Sequence, residues 1–346
     1  MGQEQTRSIT RAELQRHANL LRGAGHLLAL EFAGLDQGAR YELAFSRLLK
    51  PDPRRLFLGE AAGPLMLGTD QRDRLVPLLR DLLQALPPGG EVLDVGAGDG
   101  QTTAHGLATR EAALSLTPAD REPAYLEQYR RHLAEHCPQV RVRAGLQVEI
   151  DALFADPRVG SDYDAILALH SLYFASDPAR FLGDALDRLK RGGGLVAVIA
   201  EGSGRFATRI LLDYLDAVGL TTERAERSRR IDLLDGLFGL KAPEPSAQAC
   251  SASLRQLLGR ADIKVVRYER QTTRIYGHDF RDLLAAAFIT GLSDGDDHDM
   301  ARRIGLVIDS LLADPAAVDL RLTLEGPRAG MLSVAQPQLV AIVERI

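Results

Sequence analysis

Apolar positions early in the chain recur every three or four residues. The pattern is clear in LRGAGHLLALEF (21–32) and DRLVPLLRDLLQAL (73–86). Such spacing gathers apolar side chains on one face of an α-helix, and that face must find a core. PDPRR (51–55) and Gly59, Gly63 and Gly68 interrupt the helical run, and Pro87 to Gly90 close it. Residues 1–86 are therefore expected to form a helical N-terminal cap.

From residue 91 the period changes. EVLDVG (91–96), ALSLT (113–117), VRVRA (140–144), YDAILAL (163–169) and GLVAVIA (194–200) are short apolar or β-branched runs. Helical patterns separate them: TTAHGLAT, PAYLEQYRRHLAEH and PARFLGDALDRLK. Alternation of this kind predicts a parallel sheet covered by helices on both faces. The triplet Gly192 to Gly194 reads as the turn from a helix into the fifth strand. Beyond residue 204, ATRILLDYLDAVGL and RRIDLLDGLFGL are helical in pattern, and KAPEPSAQ (241–248) reads as a loop. IKVVRYER (263–270) and QLVAIVERI (338–346) are two late strands, with the helical DFRDLLAAAFITGL between them. The expected division is a cap over 1–86 and a core over 87–346. Helical insertions fall at about 205–260 and 279–314.

Composition narrows the classes of partner. Hydrophobic residues make up 45% and charged residues 26% of the 346, an ordinary globular balance that argues against disorder. A formal net charge of −5 argues against a nucleic-acid footprint, which needs a basic face. No apolar run approaches the roughly 18–20 residues of a membrane span. The opening MGQEQTRSITRAELQRHANL lacks the apolar stretch of a secretory signal, so a cytoplasmic location is expected. Cys137 and Cys250 form no framework and are read as free thiols. No metal is expected, because CxxC spacing is absent. The acidic DGDDHD (294–299) fails as a calcium loop: Asp299 stands where glycine is required and Gly305 where the bidentate glutamate is required.

Candidate chemistry concentrates in DVGAGDG (94–100), directly after a strand and before a helical stretch. Gly96 and Gly98 let the backbone approach a ligand without a Cβ, and Gly100 eases entry into the helix. The helix start then offers free N–H groups. The spacing is GxGxG rather than the GxGxxG of a dinucleotide fingerprint, which disfavours a nicotinamide-dependent oxidoreductase.

EVLDVGAGDG resembles motif I of class I methyltransferases, and LKRGGGLVAVIAEG resembles their helix–turn–fifth-strand segment. More narrowly, the chain resembles the histamine N-methyltransferase family along nearly its whole length. YELAFSRLL (41–49) is similar to that family's Y-x-x-x-F-x-R-x-L segment. YDAILALHSLYFASD (163–177) is similar to its fourth strand and following loop. DFRDLLAAAFITG (279–291) and SVAQPQLVAIVE (333–344) are similar to its last helix and final strand. The implied fold is α/β: a Rossmann-like class I methyltransferase fold with a seven-stranded, mostly parallel sheet.

The resemblance implies S-adenosylmethionine as cofactor, bound by Asp94, Gly96, Gly98, Thr117, Gln147, Leu169 and His170. Gly96 would line the methionine moiety. Thr117 stands where the second strand normally ends in a ribose-binding carboxylate, with Asp120 the alternative. Gln147 falls near the adenine. The implied substrate side is Tyr41, Phe45, Tyr173, Phe174 and Gln336, with Tyr173 and His170 as the catalytic candidates. Aromatic faces suit a sulfonium cation. Tyr41 and Phe45 form an i,i+4 pair, which more often marks the packed face of a helix. Tyr173 and Phe174 follow a strand's C-terminal end, where α/β sheets bind ligands. Glu201 and Ser203, after the fifth strand, are possible polar contacts or loop caps.

The implied reaction is methyl transfer to a small molecule, an N-methylation in bacterial secondary metabolism, with no nucleic-acid or membrane partner. Two alternatives remain open. Azetidine-2-carboxylate synthases share the fold; in them the cofactor's own amine attacks its Cγ, releasing methylthioadenosine. A non-catalytic S-adenosylmethionine-binding protein is the other.

Overall fold

The computed structural model describes residues 5–48, 66–201, 212, 215–216, 219–286 and 297–346. The strands, in chain order, begin with β1 (Thr6–Ser8), β2 (Gly90–Val95), β3 (Leu114–Asp120), β4 (Val140–Val142), β5 (Leu146–Gln147) and β6 (Tyr163–Leu169). They continue with β7 (Leu189–Ala200), β8 (Ile263–Gln271), β9 (Arg274–Gly277), β10 (Arg321–Thr323), β11 (Leu332–Ala335) and β12 (Gln338–Arg345). The chain divides into two compact units. One comprises Arg74–Glu201, Arg229–Gln271 and Gln338–Ile346; the other comprises Met1–Asp73, Gly202–Ser228 and Thr272–Pro337.

The first unit holds the expected sheet, in the order β4-β3-β2-β6-β7-β12-β8, with the short β5 also paired to β3. Pairings from β4 through β7 are parallel, and β12 runs antiparallel between β7 and β8. This is the mostly parallel α/β arrangement of the class I methyltransferase fold. Successive strand residues point to opposite faces, and here both faces are covered. Val92, Leu167, Val196, Val198 and Val340 pack with Leu79, Leu83, Leu107 and Leu133 on one side. Leu93, Ile166, Ala168, Ala197 and Ala341 pack with Phe181, Leu182, Leu237 and Phe238 on the other. The near-continuous apolar runs in the sequence follow from that double burial.

Three boundaries differ from the expected ones, each for a local reason. Strand β3 runs on to Asp120, past Pro118. Proline is tolerated there because β4 pairs with β3 only at Leu114 to Leu116 and β5 only at Ala119 and Asp120, so the outer side has no ladder partner at Pro118. Strand β7 starts at Leu189, so the glycine triplet lies inside it. Gly192 has φ +79°, and the register against β6 shifts between Tyr163 and Ala165, which makes the triplet an irregularity in the strand rather than a turn before it. The loop expected at 241–248 ends early, because Ser246 accepts a hydrogen bond from the Ala249 N–H at 3.2 Å and starts the helix Ala247–Leu258.

The second unit joins residues 1–73 to residues 202–228 and 272–337. It contains an antiparallel sheet in the order β1-β10-β11-β9 and helices drawn from both ends of the chain. Leu21, Leu28 and Phe32 of the helix Ala18–Phe32 pack with Leu283 and Leu284, and with Ile304, Val307, Ile308 and Leu311 of the helix Asp297–Ala313. The partners of these N-terminal residues lie beyond residue 272, and strands of three or four residues joining Thr6 to Thr323 leave no periodic signal. Of the acidic run DGDDHD, residues 294–296 lie outside the described residues and Asp297 begins a helix. Among the described residues no helix is long and apolar enough to cross a membrane.

Gly25 marks the closest approach in this unit. A Cβ there would fall 2.6 Å from Ile308 Cδ1 and 2.8 Å from Ile304 Cγ2, whereas Gly23 faces open space. Gly25→Leu should lower stability by about 1–3 kcal/mol through overpacking. Gly23→Leu should be neutral or stabilising. Urea midpoints of the two variants check the pair.

Candidate functional site

The site residues gather where β2, β3 and β6 end. Asp94 is the penultimate residue of β2 and is only 2% exposed. Its Oδ2 accepts from Thr103 Oγ1 at 2.7 Å and from the Tyr129 hydroxyl at 2.9 Å. Burial pushes the Asp94 carboxyl up to about 6, against the two hydrogen bonds that favour its ionised form. The side chain points into the protein. It fastens the glycine loop to the helices Gln101–Leu107 and Pro123–His136 rather than reaching toward a ligand.

The three glycines have separate jobs. Gly96 (φ +62°) lies against Ser171, whose Cβ would sit 2.8 Å from an added Cβ. Gly100 (φ +76°) lies against the Tyr129 ring, 2.6 Å from an added Cβ. Gly98 (φ +55°) has nothing within 4 Å of its missing Cβ, so it is the glycine that opens outward. The Gly96 and Ala97 N–H groups both donate to the Ala119 carbonyl, at 2.9 and 3.1 Å.

The longer β3 changes the reading of Thr117. That residue lies within the strand, opposite Leu93 and buried, so it does not end the strand. The terminal residue is Asp120, which carries a carboxylate. Asp120 Oδ2 accepts from the Gly98 N–H at 2.9 Å, and Oδ1 accepts from the Glu122 N–H at 3.0 Å. Gln147 is the residue paired with Asp120 on β5, and its side chain is exposed. Gly98, Asp120 and Gln147 thus form one continuous edge.

Leu169 ends β6, and His170 follows with φ +57° while its N–H donates to the Val198 carbonyl at 2.9 Å. That left-handed turn is unusual for a residue with a side chain. It aims the imidazole between two partners, with Nδ1 2.7 Å from the Tyr173 hydroxyl and Nε2 2.9 Å from Gln338 Oε1. Tyr173 and Phe174 lie in the 3-10 turn Leu172–Phe174, with ring centroids 5.5 Å apart and Phe174 exposed. Ser171 is 3% exposed, and its Oγ has no hydrogen-bond partner among the described residues.

Tyr41, Phe45 and Gln336 belong to the other unit. Tyr41 and Phe45 lie on the helix Gln37–Leu48, but their side chains are outside the described residues, as is Ser203. Gln336 is buried; its N–H donates to the Thr273 carbonyl at 2.8 Å, and its side-chain Oε1 has no partner among the described residues. Glu201 is engaged by Arg270 in a two-pronged ion pair, at 2.8 and 2.7 Å, which makes it a strand tie. Gln338, Gln271 and Ser171 were not singled out from the sequence. For Gln338 the available signal was a polar residue opening a run of buried strand positions, whereas Gln271 stands between exposed Arg270 and Thr272 and left none. Among the described residues no group of three or more His, Cys, Asp or Glu is placed to hold a metal ion.

Residues 93–195 match the family model described as a methyltransferase domain. The match runs from β2 into β7 and so contains the site residues from Asp94 to Phe174, while Glu201, Gln271 and Gln338 lie outside it. Dimethylglycine N-methyltransferase of Parasynechococcus marenigrum is 30% identical over 152 residues, 43% of this chain and 51% of that protein. The chain thus spans about half the length of this curated relative. Among solved structures, the plantazolicin methyltransferase BamL is 12% identical with TM-score 0.41, over 94% of this chain and 98% of that one. The [4+2]-cyclase SpnF is 18% identical with TM-score 0.42, over 79% and 81%. YcgJ of Bacillus subtilis is 11% identical with TM-score 0.43, over 79% and 98%. With TM-scores below 0.5, none of the three bears on the reaction.

The raised Asp94 carboxyl makes a signed prediction. Its contribution to stability is full below the ordinary value of 3.8 and is lost as pH rises through about 6. Asp94→Asn should remove this decline, which is on the order of 2–3 kcal/mol. Urea unfolding of both proteins at pH 4 and pH 7 measures it.

Proposed function

We propose that this chain is an S-adenosylmethionine-dependent transferase that methylates a nitrogen of a small molecule. The observation that carries the reading is the edge formed by Gly98, Asp120 and Gln147, with the orphaned Ser171 hydroxyl beside Gly96. Each part suits a different portion of the cofactor. Gly98 is open where a ligand backbone must come close, and the Asp120 carboxylate suits the two ribose hydroxyls. Gln147 stands one strand farther out, for the adenine. Ser171 Oγ, buried without a partner among the described residues, suits the charged aminobutyrate end. The methyltransferase-domain match over this segment supports the reading, and the N-methyltransferase relative supports nitrogen as the acceptor atom.

When bound, S-adenosylmethionine supplies a methyl group on a sulfonium, an electrophile with a good leaving group. The protein then has chiefly to align a nucleophile with that methyl. Such positioning supplies up to roughly 7–11 kcal/mol of barrier reduction. Tyr173 and Phe174 stand beyond the end of β6 and present aromatic faces suited to a cation. The amine's lone pair forms the new N–C bond, the S–C pair stays on sulfur, and the displaced N–H proton needs an acceptor. Tyr173 and His170 are the residues placed to take it.

Asp120→Ala should weaken S-adenosylmethionine binding by about 10–100-fold, the loss expected for hydrogen bonds to a charged group. Thr117→Val should leave affinity within about threefold, because Thr117 points from within the strand. Isothermal titration of both variants decides which residue faces the ribose. The reaction itself is read by mass spectrometry of incubations with S-adenosylmethionine, first alone and then with small amines. S-adenosylhomocysteine formed only with an amine supports methyl transfer. Methylthioadenosine formed without one would replace it by intramolecular cyclisation.

A further inference from the structure

Beyond the cofactor edge, a chain of buried amides runs behind His170, and its polarity is determined from one end. Glu269, Gln271 and Gln338 bring it together through strand geometry. Glu269 and Gln271 are two apart on β8 and so share a face, and Gln338 of β12 is paired directly with Gln271. Gln338 is fully buried and Gln271 nearly so. The Glu269 carboxylate can only accept, and it is paired with Arg267 through Oε2 at 3.2 Å. Gln271 must therefore turn its Nε2 donor to Glu269 Oε1, at 2.7 Å. That leaves Gln271 Oε1 to accept from Gln338 Nε2, at 2.8 Å. Gln338 is then left with its Oε1 facing His170 Nε2, at 2.9 Å. Turning either amide around would set oxygen against oxygen.

We propose that Glu269, Gln271 and Gln338 are positioning residues that hold His170 in its Nε2-protonated tautomer and thereby make Tyr173 and His170 a proton-accepting pair for an amine substrate. In neutral His170, Nδ1 is then the acceptor, and the Tyr173 hydroxyl donates to it across 2.7 Å. Any further hydrogen-bond partner of the Tyr173 oxygen must be a donor. An amine N–H meets that requirement; a carboxylate or ether oxygen does not. As the N–C bond forms, the amine proton passes to the Tyr173 oxygen and the Tyr173 proton to His170 Nδ1. The imidazolium keeps its Nε2–H on Gln338, whose carbonyl end faces the new positive charge. Tyrosine ends neutral, and one proton has moved from substrate to histidine.

The proton-transfer part rests on the proposed amine methylation, while the tautomer does not, so the test starts with the tautomer. Long-range 15N–1H spectra of the full-length protein, with the His170 signals assigned from a His170→Gln variant, should show Nε2 protonated and Nδ1 bare at neutral pH. Gln338→Met, which removes the acceptor facing Nε2, should lose that single tautomer. Turnover with an amine should fall at least about tenfold in Gln338→Met, with S-adenosylmethionine affinity by calorimetry changed less than about twofold. An Nδ1-protonated His170 in the wild type overturns the proposal even if Gln338→Met fails to fold. So does a Gln338→Met variant with unaltered imidazole signals or unaltered turnover. Failure to bind S-adenosylmethionine would instead remove the functional reading and leave the tautomer assignment standing.

Discussion

The site is organised by one buried carboxylate. Asp94 lies near the end of β2, and its oxygen holds a threonine from the helix that follows the glycine loop and a tyrosine from the next helix. Burying a carboxyl is unfavourable, as its raised pKa of about 6 records, and two short hydrogen bonds offset that cost. In return the loop has little freedom. Gly96 is pressed on Ser171 and Gly100 on Tyr129, so the opening falls at Gly98. With the Gly98 N–H held by Asp120, two strand ends become one edge.

The central sheet was legible in the sequence because its strands are buried on both faces. Runs such as YDAILAL and GLVAVIA have nowhere else to go, and helices at regular intervals force parallel crossovers. The glycine loop was legible for a different reason: positive φ at three alternate positions demands glycine at each. Thr117 was misplaced by three residues because proline commonly ends a strand, and no local signal shows that Pro118 faces a gap between β4 and β5. Asp120 ends β3 and carries a carboxylate.

What the sequence concealed is long-range. The second unit is assembled from segments as distant as Thr6 and Thr323, joined by strands too short to carry a period. The amide chain behind His170 is concealed in the same way. Gln271 and Gln338 are 67 positions apart, and only the pairing of β8 with β12 shows that they meet. Gln338, a polar residue opening a run of buried strand positions, was the one trace left. Each glutamine is costly alone, and together they satisfy one another and end on a carboxylate.

The claim on which the function depends is that the edge from Gly98 to Gln147 holds the nucleoside of S-adenosylmethionine. A crystal structure of the complex with S-adenosylhomocysteine tests it most directly. Both ribose hydroxyls are expected within hydrogen-bond distance of the Asp120 carboxylate, with the aminobutyrate end beside Ser171. A ribose bound anywhere else, with Asp120 still closed on the Gly98 N–H, would contradict it.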